Sequence, residues 1–441
     1  MARLTKEEVK ERVCRAIEDA APELKKIAAS IMAEPELGYK EDKTSSKVQR
    51  AFDAMGLTYT TGHGRTGLKA RLSGGASGYT VAMIGELDAI VCPKHPAADP
   101  LTGAAHCCGH NIQIANMLAV GKGLMADGVM ESLKGDVVLF AVPAEEYVEI
   151  DYRNKLREEG TIKYLGGKQQ LIYEGAFDDI DMAMQMHVAT AETPQGEMNL
   201  GTTSNGFIGK LIEYKGKAAH AAAAPHEGIN ALQAAMMGVM GVNAIRDTFK
   251  ESDYIRFHPI INSGGDLVNV VPDKVTMESY VRGANVEAMI DANKRINQAL
   301  KAGGDAVGAI CDIQDLPGYL PMRNDAVMND LLEANSKMLF PEDNVRYGEH
   351  MAGSTDMGDV SHIMPVIHPW VGCIDGVLHG ADYVVSVEEV AYIKTAQALA
   401  MTIVDLLYDD AAGAERVMAE FTPALTKEEY LALMDSIDSK H

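Results

Sequence analysis

Basic residues are in short supply in this chain: 40 Lys and Arg stand against 63 Asp and Glu, a formal net charge of −23. That balance repels phosphate backbones and anionic lipid surfaces, so neither nucleic acid nor a membrane is an expected partner. Cysteine is sparse, with six residues scattered at positions 14, 92, 107, 108, 311 and 373 of 441. Adjacent Cys107 and Cys108 make a poor disulfide framework, which predicts a reducing, cytoplasmic setting. In that setting a clustered thiol is more readily a ligand or a reactive group than half of a cystine. The N-terminus Met1-Ala2-Arg3-Leu4-Thr5-Lys6-Glu7-Glu8 reads as lacking an apolar signal core, and no span of about 18 apolar residues is expected anywhere. Repeats and low-complexity tracts are absent too. What remains is an ordinary globular composition, 47% hydrophobic and 23% charged, long enough for two domains.

Thr5-x-x-Glu8 reads as a capping box that opens a helix running to about Met32. A second helix is expected from Thr44 to Met55, followed by short β-rich runs at Leu68 to Leu72, Tyr79 to Asp88, Gly135 to Ala144 and Met182 to Val188. Val137-Val138-Leu139-Phe140-Ala141-Val142 is continuously apolar, as a central strand covered on both faces should be. Strands alternating with helices predict a layered α/β domain. From about Gly206 to Leu316 the rhythm changes to strand Phe207 to Lys217, helix Gly228 to Asp247, strands Ile255 to Asn262 and Lys274 to Arg282, helix Val286 to Ala302 and strand Ala306 to Gln314. That order is βαββαβ, a ferredoxin-like unit inserted into the first domain. The expected division is therefore 1–205, 206–316 and 317–441, the outer pieces forming one domain. Asn324 to Met338 resumes helical periodicity, Ser386 to Leu407 reads as a long apolar-faced helix, and residues 147–174, rich in charge, read as a surface excursion.

Three stations carry chemistry: His106-Cys107-Cys108-Gly109-His110-Asn111, Ala144-Glu145-Glu146 and Met186-His187. Thiolate, neutral imidazole and carboxylate are the ligand set of a zinc-like ion, and a second carboxylate is the proton acceptor that an activated water needs. Asp88, Glu145-Glu146 and His187 each end an expected buried strand, and open α/β sheets bind ligands at the carboxyl ends of their strands. The chain reads as a metal-dependent hydrolase.

Cys108-Gly109-His110, Pro143-Ala144-Glu145-Glu146, Gly216-Lys217-Ala218-Ala219-His220-Ala221-Ala222, Asn269-Val270-Val271-Pro272 and Ser354-Thr355-Asp356-Met357-Gly358-Asp359-Val360-Ser361 together resemble the zinc-dependent aminoacylase and carboxypeptidase G superfamily. The branch most similar holds aminobenzoyl-glutamate, hippurate and auxin-conjugate hydrolases and dipeptidase-like homologues. The resemblance implies a catalytic domain with an inserted dimerisation or lid domain, and a two-metal site of Cys108, His110, Glu146, His187 and His379 with Cys108 bridging. Zinc is the first choice of ion, with manganese or cobalt as alternatives. It further implies Glu145 as general base, His220 as an oxyanion-stabilising residue that crosses to a partner subunit, and Asn269 and Arg282 as binders of the substrate carboxylate. Asp88 would fix the tautomer of a ligand histidine, and Asp356 and His350 would support the site or touch substrate. Asn111 departs from the Asp found after Cys-Gly-His in many auxin-conjugate hydrolases, and Cys107 reads as a packing residue. The implied substrate is a small amide or dipeptide whose amino-acid end keeps a free carboxylate, and the implied assembly is a homodimer or higher homo-oligomer.

Two other readings use the same residues. One is a thiol hydrolase built on Cys108, His110 and Asn111, and the other is a non-catalytic binding protein on the same fold. Cys and His two apart on one loop align poorly for proton transfer, and an intact Glu145 speaks against a purely binding role.

Overall fold

Thr5 and Glu8 form the expected capping box: Glu8 N donates to Thr5 Oγ1 at 3.2 Å and Thr5 N to Glu8 Oε2 at 2.8 Å, opening the helix Lys6–Met32. The computed structural model describes residues 4–441, so Met1, Ala2 and Arg3 of the N-terminal reading lie outside the described residues. Val9, Val13, Ile17 and Leu24 repeat at helical spacing on the buried face of this helix, which packs on the helix His110–Leu124.

The chain divides into two units, and each is described by itself. The first comprises residues 1–203, 323–350 and 359–426. Its main sheet has six strands in the order Tyr59–His63, Gly67–Ser73, Lys134–Val142, Ala76–Glu86, Met182–Met184 and Val366–Ile367. Ala76–Glu86 runs parallel to both of its neighbours, and Val137 through Val142 is fully buried as the continuous apolar run predicts. A smaller sheet joins His187–Thr190, Glu197–Leu200 and Trp370–Asp375 with two short strands. His110–Leu124 is buried on almost every side and packs on Ala76–Glu86, so both strand and helix carry their first or last polar residue to one end of the sheet.

Two expectations for this unit fail. Residues 147–174 are no surface excursion: the helices Ile150–Glu158 and Gly167–Glu174 bury Arg153, Lys168, Gln169 and Gln170. Lys168 pairs with Glu86 and Arg153 donates from Nη1 to the Leu165 carbonyl, so a polar sequence was compatible with burial. The second concerns apolar runs. Val390–Leu407 is one helical stretch of 18 residues apolar enough to cross a membrane by length and composition, and it lies mostly buried in the core of this unit. It begins as a single π turn over Val390–Lys394 before the α-helix Thr395–Leu407.

The second unit holds residues 204–322, 351–358 and 427–441. Its order is the expected βαββαβ: Gly206–Lys215, Ala231–Ile245, Arg256–Ser263, Lys274–Gly283, Val286–Asp305 and Ile310–Pro317. The first of its helices starts three residues later than the periodicity suggests because Asn230 caps it, its Oδ1 accepting from Leu232 N and Gln233 N at 3.0 Å. The last strand starts later than expected because Gly308, at φ +76°, turns the chain after the helix. Residues 427–441, expected with the first domain, group here because Ser439–Lys440 adds a short edge strand against Ile310–Pro317.

Candidate metal centre

Each expected donor of the first unit follows or opens a strand or helix, except His379, which sits in the turn between Trp370–Asp375 and Val384–Val385. Cys108 and His110 flank Gly109, whose φ of +84° carries the chain into the helix His110–Leu124. A Cβ at Gly109 would stand 2.4 Å from Val188 Cγ2, so the turn admits only glycine. Glu145 and Glu146 follow the strand Lys134–Val142 across Ala144, which is itself at φ +54° with its N–H donated to Glu41 Oε1 at 2.8 Å. Burial and then neighbouring Asp88 push the Glu41 carboxyl up to about 7. His187 opens the strand His187–Thr190, its ring 4.2 Å from that of Trp370, the one tryptophan of the chain. His379 has φ +62°, donates its N–H to Cys107 O at 2.9 Å, and accepts from Cys92 Sγ at its carbonyl at 3.4 Å. Cys107 thus contributes packing and a carbonyl.

These side chains converge. Cys108 Sγ lies 3.3 Å from His187 Nε2 and 3.3 Å from His379 Nε2, and His379 Nε2 is 3.2 Å from Glu146 Oε1. Among the described residues, Cys108 belongs to two donor groups, Cys108–His110–His187 and Cys108–Glu146–His379, with the donor atoms of each within 4.8 Å of one another. A third group, Glu86–His110–Glu145, shares His110.

Hydrogen bonds behind the donors set their tautomers. His110 Nδ1 donates to the Asp88 carbonyl at 2.9 Å and His187 Nδ1 to the Val188 carbonyl at 2.8 Å, leaving both Nε2 lone pairs facing the cluster. Asp88 is the hinge of this arrangement, because its Oδ2 also accepts from Glu146 N at 2.9 Å. Glu86, which belongs to the upstream acidic motif Glu86-Leu87-Asp88 but carries no role in the sequence reading, is fully buried and accepts from Lys168, Gln185 and Gln113.

The electrostatics fit a cation. Burial pulls the His110 imidazole down, but Glu86, Cys108 and Asp88 outweigh it and hold the ring well above its ordinary range. Burial, then the Glu146 charge, pushes the Cys108 thiol well above its usual value. His187, buried and beside His110, falls to about 4 and is a neutral donor at neutral pH. His110 Nε2 and Glu146 Oε1 are buried and make no hydrogen bond despite neighbours at 3.0 and 3.2 Å. Carboxylates and a thiol that draw a proton onto a buried imidazole would be satisfied better by a divalent ion, which replaces the protons on sulfur and nitrogen. The same raised thiol argues against the nucleophile reading, since a reactive cysteine needs a lowered pKa.

Asn111 lies behind the site, donating from Nδ2 to the Ala28 carbonyl at 3.3 Å. His350 pairs through Nδ1 with Thr203 Oγ1 at 2.9 Å and belongs to none of the three donor groups. The remaining expected residues belong to the second unit. His220 is exposed, and its Nδ1 accepts from Ala222 N and Ala223 N at 3.2 and 3.0 Å, so its proton sits on Nε2. Asn269 is beside it in the backbone, its carbonyl accepting from Ala221 N at 2.9 Å. Arg282 lies over the rings of Phe207 and Tyr280 and donates from Nη1 to Ser354 Oγ at 2.7 Å, while Asp356 is fully buried. The sequence reading missed Lys168, His368 and Trp370. His368-Pro369-Trp370 follows the apolar Met364–Ile367 run, and that strand-end position is the signal that could have found the last two.

Comparison with known proteins bears on the family and the fold. Residues 202–307 match the family model described as a peptidase dimerisation domain. A mouse Xaa-Arg dipeptidase is 28% identical, with 96% of this chain and 94% of that protein covered. Its human counterpart is 30% identical over 70% of this chain and 68% of its own length. A Bacillus subtilis structure titled a dinuclear metal-binding peptidase from the M20 family superposes with a TM-score of 0.67 at 19% identity, covering 88% of this chain and 99% of that one.

Proposed function

This chain belongs to the M20 superfamily of metal-dependent peptidases and amidohydrolases, and we propose that it holds two divalent ions and cleaves the amide joining an acyl or aminoacyl group to an amino acid with a free carboxylate. The observation that carries this reading is the placement of Cys108 in two donor groups at once. Cys108, His110 and His187 would hold one ion, and Cys108, Glu146 and His379 the other, with zinc first and manganese or cobalt as the other ions such donors accept. Ions bound there would polarise the scissile carbonyl and make a water acidic enough to attack it.

The rest of the chemistry falls to the chain's own groups. Glu145, largely buried with Oε2 3.8 Å from His110 Nε2, takes the proton of the attacking water and returns it to the leaving amine. His220, protonated on Nε2, donates to the oxyanion, supplied from a partner subunit. Arg282 and Asn269 hold the substrate carboxylate, the guanidinium through paired hydrogen bonds. Asp88 keeps His110 in the donor tautomer, and Asp356 supports the site or touches substrate.

The homodimer of this proposal is supported by the edge strand Arg256–Ser263, where Ile260 and Ile261 are exposed, and by the exposed Met236, Met237 and Met240 of the helix Ala231–Ile245. An open, apolar edge of this kind pairs with a copy of itself. Sedimentation of the purified protein is expected to give a dimer and of Ile260→Asp a monomer; a wild-type monomer at micromolar concentration would remove the partner histidine from the mechanism. The free cysteines support the proposed cytoplasmic setting.

Dipeptides come first among substrates because the similar mouse and human proteins are named Xaa-Arg dipeptidases. A turnover screen of dipeptides and N-acyl amino acids with added zinc or manganese tests the proposal. Hydrolysis that a chelator abolishes and metal restores is the expected result, and hydrolysis indifferent to chelator but stopped by a thiol alkylating agent would overturn it.

A further inference from the structure

His110 can serve only one ion, yet it belongs to two donor groups. Its Nδ1 is committed to the Asp88 carbonyl, and the single remaining lone pair on Nε2 faces both Cys108–His187 and Glu86–Glu145. The first partnership is soft, a thiolate and two imidazoles. The second is hard, two carboxylates and one imidazole, and it would also consume Glu145, the proposed base. Some feature of the chain has to decide between them.

Glu86 is where the decision falls. Its Oε1 accepts from Lys168 Nζ at 2.6 Å and from Gln185 Nε2 at 2.7 Å, while its Oε2 accepts from Gln113 Nε2 at 2.8 Å and stands 3.0 Å from His110 Nε2. Glu86 and Lys168 are both fully buried, so this ion pair is shielded from solvent and screened less by salt than a surface pair. Lys168 arrives on the insert that follows Glu146. Gly167 N donates to Ala144 O at 2.9 Å, and a Cβ on Gly167 would fall 1.7 Å from Pro143 O, so the insert is seated directly against the turn that presents Glu145.

We propose that Lys168 is a positioning residue that selects the metal partnership of His110: by occupying Glu86 and opposing a cation there, its ammonium reserves His110 for Cys108 and His187 and leaves Glu145 to act as base. This rests on the two-metal reading above. The consequence is ionic selectivity, since without Lys168 a hard ion gains a site made of Glu86, His110 and Glu145 at the expense of the thiolate site.

The test uses full-length protein equilibrated with chelator-buffered zinc and manganese mixtures, with bound metal measured by elemental mass spectrometry. Wild type is expected to hold about two ions per chain, mostly zinc, and Lys168→Met to lose its preference for zinc over manganese by about tenfold, equivalent to 1.4 kcal/mol. Adding Glu86→Gln to Lys168→Met is expected to restore the preference, because the competing carboxylate is gone. An unchanged preference in Lys168→Met, with two ions still bound to wild type, overturns the proposal and leaves the two-metal reading standing. Wild type that binds no metal sinks that reading first. A lost preference that Glu86→Gln does not restore marks a merely structural role and also overturns it. Should Lys168→Met not fold, Lys168→Gln, which keeps a donor for Glu86 without the charge, carries the same expectations.

Discussion

Alanine at Cys108 is expected to cost the protein both of the proposed ions, because the sulfur is the one donor common to the groups Cys108–His110–His187 and Cys108–Glu146–His379. Replacing His187 or His379 removes a donor from one group only, so each should lower the metal content by about one ion per chain. Cys108→Ala should instead fall from about two ions to well below one after dialysis, with hydrolysis lost in proportion. The side chain is small and buried, so the fold should survive the change, and circular dichroism separates metal loss from unfolding. Cys108→Ala protein that keeps two ions would contradict the bridging role.

The second large effect belongs to Glu145. Glutamine preserves its size and its hydrogen-bonding reach but cannot accept the proton of the attacking water, so kcat is expected to fall by about a thousandfold. Metal content should stay at the wild-type level, since Glu145 belongs to neither of the groups that contain Cys108. KM should change little, because the loss is confined to the reacting step. Steady-state kinetics alongside metal analysis make the check, and a Glu145→Gln enzyme with wild-type turnover would reassign the base.

Much of this was readable before any coordinates. The unbroken apolar run from Val137 to Val142 could only be a covered strand, which put Glu145 and Glu146 at its carboxyl end. The change of rhythm after Gly206 carries the βαββαβ order, with boundaries displaced by up to four residues, among them the starts where Asn230 caps a helix and Gly308 turns the chain. Residues whose burial depends on a distant partner were not readable. Lys168 looks like a surface lysine until Glu86 is beside it, 82 residues away in sequence. Ser439–Lys440 is too short to carry a strand pattern, so its attachment to Ile310–Pro317 left no periodic trace. Val390–Leu407 is buried on nearly every side because it is a core helix, and such a helix matches a membrane span in mean composition. Trp370 and His368 were overlooked since neither residue type alone signals a site, and only the 4.2 Å stack of Trp370 on His187 gives the tryptophan a place in it.

The central claim is that one sulfur is shared by two ions. Anomalous diffraction at the zinc edge, from crystals of the zinc-loaded protein, tests it most directly. Two peaks about 3.5–4 Å apart are expected, both within bonding reach of Cys108 Sγ, one also against His110 and His187 and the other against Glu146 and His379. A single peak, or a pair that leaves Cys108 without metal, would contradict the account.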